Sequence, residues 1–254
     1  MGKEDGDTGK EKDAAFATKK KFRKLWAEII DASDEHWSLN LRSCANLIGL
    51  CYYPVGWNWT EYVRPRNEDP YPWEKKAQKA LSLIEPLGKN TPKGLQARKQ
   101  GNEFRRIKVE RHLLRFIKRK EILLTYYDHR MQGFELGDRM RLDETLKFNV
   151  VASSIGYNDL KNGDAFYCSV DTKSLLTALE TKKHWETKAG PFDWLLIERY
   201  VRELYEDFGK PKTQEDYFQK VVQWHADRAV KEEKEPTAST LRELISNLHI
   251  EYCA

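Results

Sequence analysis

Between Lys93 and Lys120 the chain carries eleven basic residues, Lys93, Arg98, Lys99, Arg105, Arg106, Lys108, Arg111, Arg115, Lys118, Arg119 and Lys120, against only Glu103 and Glu110. That is a local charge of +9 in a protein whose total is +4, so the remainder is net acidic. Guanidinium and ammonium groups at this density attract phosphate, and affinity won by releasing the counterions of a nucleic acid falls steeply with salt. The same density also suits a solvated helix face balanced by acids elsewhere in the fold. From this run Arg98, Lys99, Arg105, Arg106, Lys108, Arg111 and Arg115 are the expected phosphate contacts.

A second set of polar residues, Thr237, Ser239, Thr240 and Arg242, opens the latter of two amphipathic helices read at Lys212 to Ala229 and Pro236 to Ile250. A helix-turn-helix unit places its second helix in the major groove, where hydroxyl and guanidinium groups near the helix start reach base edges. The charge here argues the other way. From Thr213 through Ala254 five Lys or Arg face eight Asp or Glu, a net of −3. Such a unit would need phosphate contacts from the basic run and from Lys210 and Lys212, or it would dock a basic protein partner instead.

Catalytic patterns are sparse. Asp164 followed by Asp171-Thr172-Lys173 beside a short apolar run resembles the acid pair and lysine of a metal-dependent nuclease, which would hold a divalent ion and activate water. Acid-x-Lys recurs at Glu74, Glu180, Glu186 and Glu232, however, and Asp171 already reads as a helix cap. The glycines form neither a GxxxxGK[ST] nor a GxGxxG pattern, so no nucleotide cofactor is expected. Cys44, Cys51, Cys168 and Cys253 and the six His are dispersed, which suggests no zinc site, no disulfide framework and a reducing, cytoplasmic setting. No run approaches the roughly 20 apolar residues that span a bilayer, so no membrane partner is expected.

The elements that must hold these residues follow from periodicity. Residues 1–15 are polar and read as a disordered tail, and residues 16–120 read as a helical region. Within it, helices are expected at Ala14 to Ala32, at Leu39 to Cys51, at Glu74 to Ile84 and, as the basic helix, at 96–120. Between the second and third, four aromatic rings fall in Tyr52 to Trp59, a packed corner or a base-stacking surface. Across 121–188, short apolar runs at Ile122 to Tyr127, Thr145 to Val151 and Ala165 to Val170 lie between turns at Gly133, Gly137, Gly156 and Gly163, which predicts a small antiparallel sheet followed by a helix capped near Asp171. From 191 to 254 the chain reads as helical. Trp194 to Tyr205 forms one apolar stripe ending before Gly209, Thr213 with Asp216 resembles a capping box, and Leu241, Leu244, Ile245 and Leu248 share one face.

Gly209-Lys210-Pro211-Lys212-Thr213-Gln214, then Trp224, then Pro236-Thr237-Ala238-Ser239-Thr240-Leu241-Arg242 resemble a segment recurring in uncharacterised bacterial proteins: Gly-x-Pro-x-Thr-Gln, a mid-helix Trp, and Pro-x-x-Ser-Thr-x-Arg. The resemblance spans Gly209 to Leu248 and implies a helix-turn-helix-like layout in a bacterial protein, with no activity attached. The whole chain therefore reads as α+β and α-rich, with a helical N-terminal part, a small antiparallel sheet in the middle and a C-terminal helix-turn-helix-like unit. Its expected role is that of a non-enzymatic DNA-associated regulator or accessory protein. The alternatives are a protein-interaction adaptor and, third, a metal-dependent nuclease.

Overall fold

A computed structural model of the 254-residue chain describes residues 24, 26–31, 36–57, 74–75, 91–128, 130–157, 165–180, 194–228 and 236–253. The expected tail, most of the helices at Ala14 to Ala32 and Glu74 to Ile84, the end of the aromatic cluster, Gly163 and Asp164 lie outside the described residues. The protein is α+β and rich in helix, with a six-stranded antiparallel sheet.

A 12-residue helix, α1 (Leu41–Tyr52), is buried along nearly its whole length. Its start is set by Asn40, whose side chain accepts a hydrogen bond from the Ser43 N–H at 2.8 Å and so satisfies one of the donors a helix leaves orphaned. Polar residues on this helix find partners inside the fold: the Ser43 hydroxyl donates to Glu74 at 3.1 Å, and the Trp57 indole donates to Asn46 at 3.3 Å. Burial of a helix on all sides needs such pairing, because an unpartnered polar group costs more than its neighbours' packing returns.

The basic run forms α2 (Pro92–Lys118), 27 residues and about 40 Å long. It begins four residues earlier than the periodicity suggests. Thr91 caps it by accepting from the Gly94 N–H at 3.1 Å, and Pro92 occupies the first turn, where its missing N–H is no loss.

The sheet is built from β1 (Ser38–Asn40), β2 (Leu124–Tyr127), β3 (Gly133–Glu135), β4 (Leu146–Asn149), β5 (Ser154–Tyr157) and β6 (Phe166–Asp171). Its order is β3-β2-β6-β5-β4, with β1 beside the C-terminal half of β6, and every pairing is antiparallel. Register places Leu39 and Leu124 opposite Val170, Tyr126 opposite Cys168 and Ile155 opposite Phe166, so these side chains share the face that meets α1. Two of the expected turn glycines are in strands. Gly133 opens β3 and Gly156 lies within β5. A five-residue helix, α3 (Asp138–Leu142), follows Gly137, and α4 (Thr172–Glu180) follows β6 directly.

The C-terminal part comprises α5 (Trp194–Phe208), α6 (Gln214–Arg228) and α7 (Ala238–Cys253). Helix α5 stops at Gly209, which takes a positive φ of 73° and returns its N–H to the Tyr205 carbonyl at 2.8 Å. Thr213 and Asp216 make the expected reciprocal cap: the Thr213 N–H donates to the Asp216 carboxylate at 3.0 Å, and the Asp216 N–H donates to the Thr213 hydroxyl at 3.3 Å.

Two apolar clusters result. One gathers α1, the sheet, α4, Leu195 and the C-terminal half of α2 through Val109, Leu113, Phe116 and Ile117. The other gathers α5, α6 and α7 around Tyr205, Val221, Leu241, Leu244 and Leu248, with Ala97 of α2. Helix α2 is thus shared between the clusters, and its basic residues cannot all face water.

Candidate nucleic-acid interface

Helical geometry distributes the cations of α2 around its circumference. Arg105 is 1% exposed and lies between Ala97 in one cluster and Val109 in the other. Its guanidinium bonds the Glu251 carboxylate of α7 and the side chain of Asn102. It is therefore not a phosphate contact in this fold, because a side chain this deeply buried cannot reach a nucleic acid without leaving its carboxylate unpaired. Arg98 is drawn toward the same centre, with Nε 3.0 Å from a carboxylate oxygen of Glu206. Arg106 pairs with Glu110 at 3.5 Å on the next turn, and the Lys108 ammonium lies 5.1 Å above the Phe104 ring.

The ion cluster behind Arg105 was not legible in the charge run. Glu251 also bonds Arg202 of α5, which in turn holds Glu198 at 2.8 Å, and the Tyr252 hydroxyl donates to Glu206 at 3.0 Å. Burial alone would raise the Glu251 carboxyl, but the Arg202 and Arg105 guanidiniums outweigh it and hold the group below the usual carboxylate range. Glu206 goes the other way: burial pushes it up and prevails over Arg98 and Tyr252. Burial also pushes the Tyr252 phenol up to about 12. One signal for this cluster exists in the sequence. Glu198, Arg202 and Glu206 recur every fourth residue beside the apolar stripe of α5, a line of charges on the flank that the fold buries.

What remains in solvent lies mostly in the second half of α2. Arg111, Arg115 and Lys118 are exposed at i, i+4 and i+7, followed by Arg119 and Lys120. Arg119 approaches Glu121 at 3.9 Å, and Lys120 meets Asp138 at 2.5 Å. Arg115 contacts the ring of His112, which stacks on Tyr52 with centroids 4.2 Å apart. Among the described residues, Arg111 and Lys118 form no ion pair. Lys99, on the first half, is exposed as well. Cations in the last turns of a helix are also favoured by its dipole, which accounts for part of their placement without any ligand.

The chain matches no known family model, and no curated protein or solved structure shows significant similarity to it.

The expected base-facing residues are placed differently from the basic ridge. Thr237 caps α7, its hydroxyl accepting from the Thr240 N–H at 3.3 Å and lying 2.8 Å from the Thr240 hydroxyl. Arg242 reaches back to Glu215 at 3.3 Å and lies 4.2 Å over the Phe218 ring. Ser239 is exposed. Asp171 is engaged as a cap: its carboxylate accepts from the Ser174 N–H at 2.7 Å. Among the described residues no three His, Cys, Asp or Glu groups converge to hold a metal ion, and the four cysteines form no disulfide. No described helix is long and apolar enough to cross a membrane.

Proposed function

We propose that this protein is a non-enzymatic, DNA-associated accessory protein of the cytoplasm, which holds the phosphate backbone on the C-terminal half of α2. The observation that supports this reading is the row of exposed cations at Arg111, Arg115 and Lys118, none of which pairs with a carboxylate among the described residues. Uncompensated cations in one row carry the counterion-release term that dominates weak nucleic-acid binding. Arg105 and Arg98 contribute structure in place of contact, since both are engaged by buried carboxylates. Arg119 and Lys120 extend the same surface once their acidic neighbours, the half-buried Glu121 and the exposed Asp138, yield to a stronger anion.

The test is a fluorescence anisotropy titration of a labelled random duplex at about 50 mM salt, repeated near 200 mM. Binding that weakens with salt, and is lost in the R111E/K118E variant, supports the reading. No binding at the lower salt overturns it.

A further inference from the structure

Resting on that reading, we infer that the partner is double-stranded nucleic acid gripped by its backbone alone, with no base read by either candidate surface. The ridge from Arg111 to Lys118 rises about 10 Å along α2, a span over which a duplex offers roughly one phosphate charge per 1.7 Å of axis. Its chemistry is cationic and aliphatic. The rings nearby are engaged: Phe116 is buried, Phe104 lies beneath Lys108, and His112 is stacked on Tyr52. Binding of single strands draws on aromatic faces that successive bases can stack upon, and among the described residues this ridge presents none.

The polar set on α7 does not complement it. Thr237 is engaged in capping, and Arg242 lies between Glu215 and Phe218. The set is also remote. Helices α2 and α7 meet where Arg105 bonds Glu251, and α7 then packs its leucines into the same cluster as Ala97. Ser239 stands twelve residues before Glu251, about 18 Å along α7, while Lys118 stands about 20 Å beyond Arg105 in the other sense along α2. A phosphate row with no polar side chains at base edges positions a duplex without reading its sequence.

The experiment compares the full-length protein on three scrambled 20-bp duplexes, on a poly-dT strand of equal length and on phosphatidylserine vesicles, at about 50 mM salt. The expected result is one affinity for all three duplexes within about threefold, with poly-dT at least about tenfold weaker and a salt slope near −3 from three neutralised phosphates. R111E/R115E/K118E should lose at least about tenfold on duplex, while S239A/T240A/R242A stays within about twofold; circular dichroism of both variants should match the parent, because the altered side chains are at the surface. Preference for poly-dT, a spread beyond tenfold among duplexes, or loss of binding in the α7 variant overturns the inference and leaves the DNA reading standing. Binding to no nucleic acid, with or without vesicle binding, overturns both.

Discussion

Arg105, in the middle of the basic helix α2, is bonded to Glu251, 146 residues further along the chain. Arg202 completes the arrangement from a third helix, so one carboxylate joins α2, α5 and α7. All three side chains are almost fully buried. Removing one member of a buried ionic group leaves its partners charged and desolvated, which costs far more than the intact group contributes.

Glu251→Gln should therefore destabilise the protein by about 3–5 kcal/mol in a urea unfolding titration. Arg202→Met should cost a similar amount. A loss under about 1 kcal/mol for both would mean that the cluster is solvated in a way its burial denies.

The two buried carboxyls set opposite pH trends. Glu251 is held below its ordinary value in the folded protein, so its contribution is present above the ordinary glutamate value of 4.5 and is lost as pH falls below it toward the folded value. Glu206 is held above that value, so its burial penalises the folded state at neutral pH and the penalty is relieved as pH falls toward the carboxylate range. Stability measured from pH 7 downward should rise slightly and then fall steeply below about 4.5. In Glu206→Gln the initial rise should vanish while the fall remains; persistence of the rise would assign it to another group.

Gly94 marks where α2 and α5 touch backbone to backbone. A Cβ built there would overlap the Glu206 carbonyl oxygen, so neither a rotamer change nor a flexible side chain can relieve the contact. Gly94→Ala should force the helices apart and cost about 3 kcal/mol, read as a lowered thermal midpoint. An unchanged midpoint would show that the two helices are not packed this closely in solution.

Thr91 serves both sides of that contact. It caps α2 at Gly94 and donates its hydroxyl to the Asp207 carbonyl near the end of α5 at 2.8 Å. Thr91→Ala should cost about 1–2 kcal/mol, whereas Thr91→Ser, which keeps both bonds, should cost well under half of that. Equal losses would place the effect in the methyl group.

Arg242→Ala should change stability by less than about 1 kcal/mol in the same urea assay, because its pairing with Glu215 is exposed. A larger loss would locate the effect in its packing over the Phe218 ring.

Sequence alone determined the elements whose signals are local. The apolar stripe of α5, its stop at Gly209, the Thr213–Asp216 cap and the capping role of Asp171 all depend on residues within a few positions of one another, and all are found. The α+β class followed from the change of period near Ile122. Strands β1 and β3, three residues each, were not legible, since two or three alternations are too few to reveal a period. The cations of α2 were legible as a count and not as a surface. A helix points its side chains all round, and which of them meet water is decided by what packs against it from elsewhere in the chain. Glu251 and Glu206 come from more than 100 residues away to bury Arg105 and engage Arg98, leaving Arg111, Arg115 and Lys118 outside. Only the tertiary structure could make that division, because it is a property of α5 and α7 as much as of the basic helix.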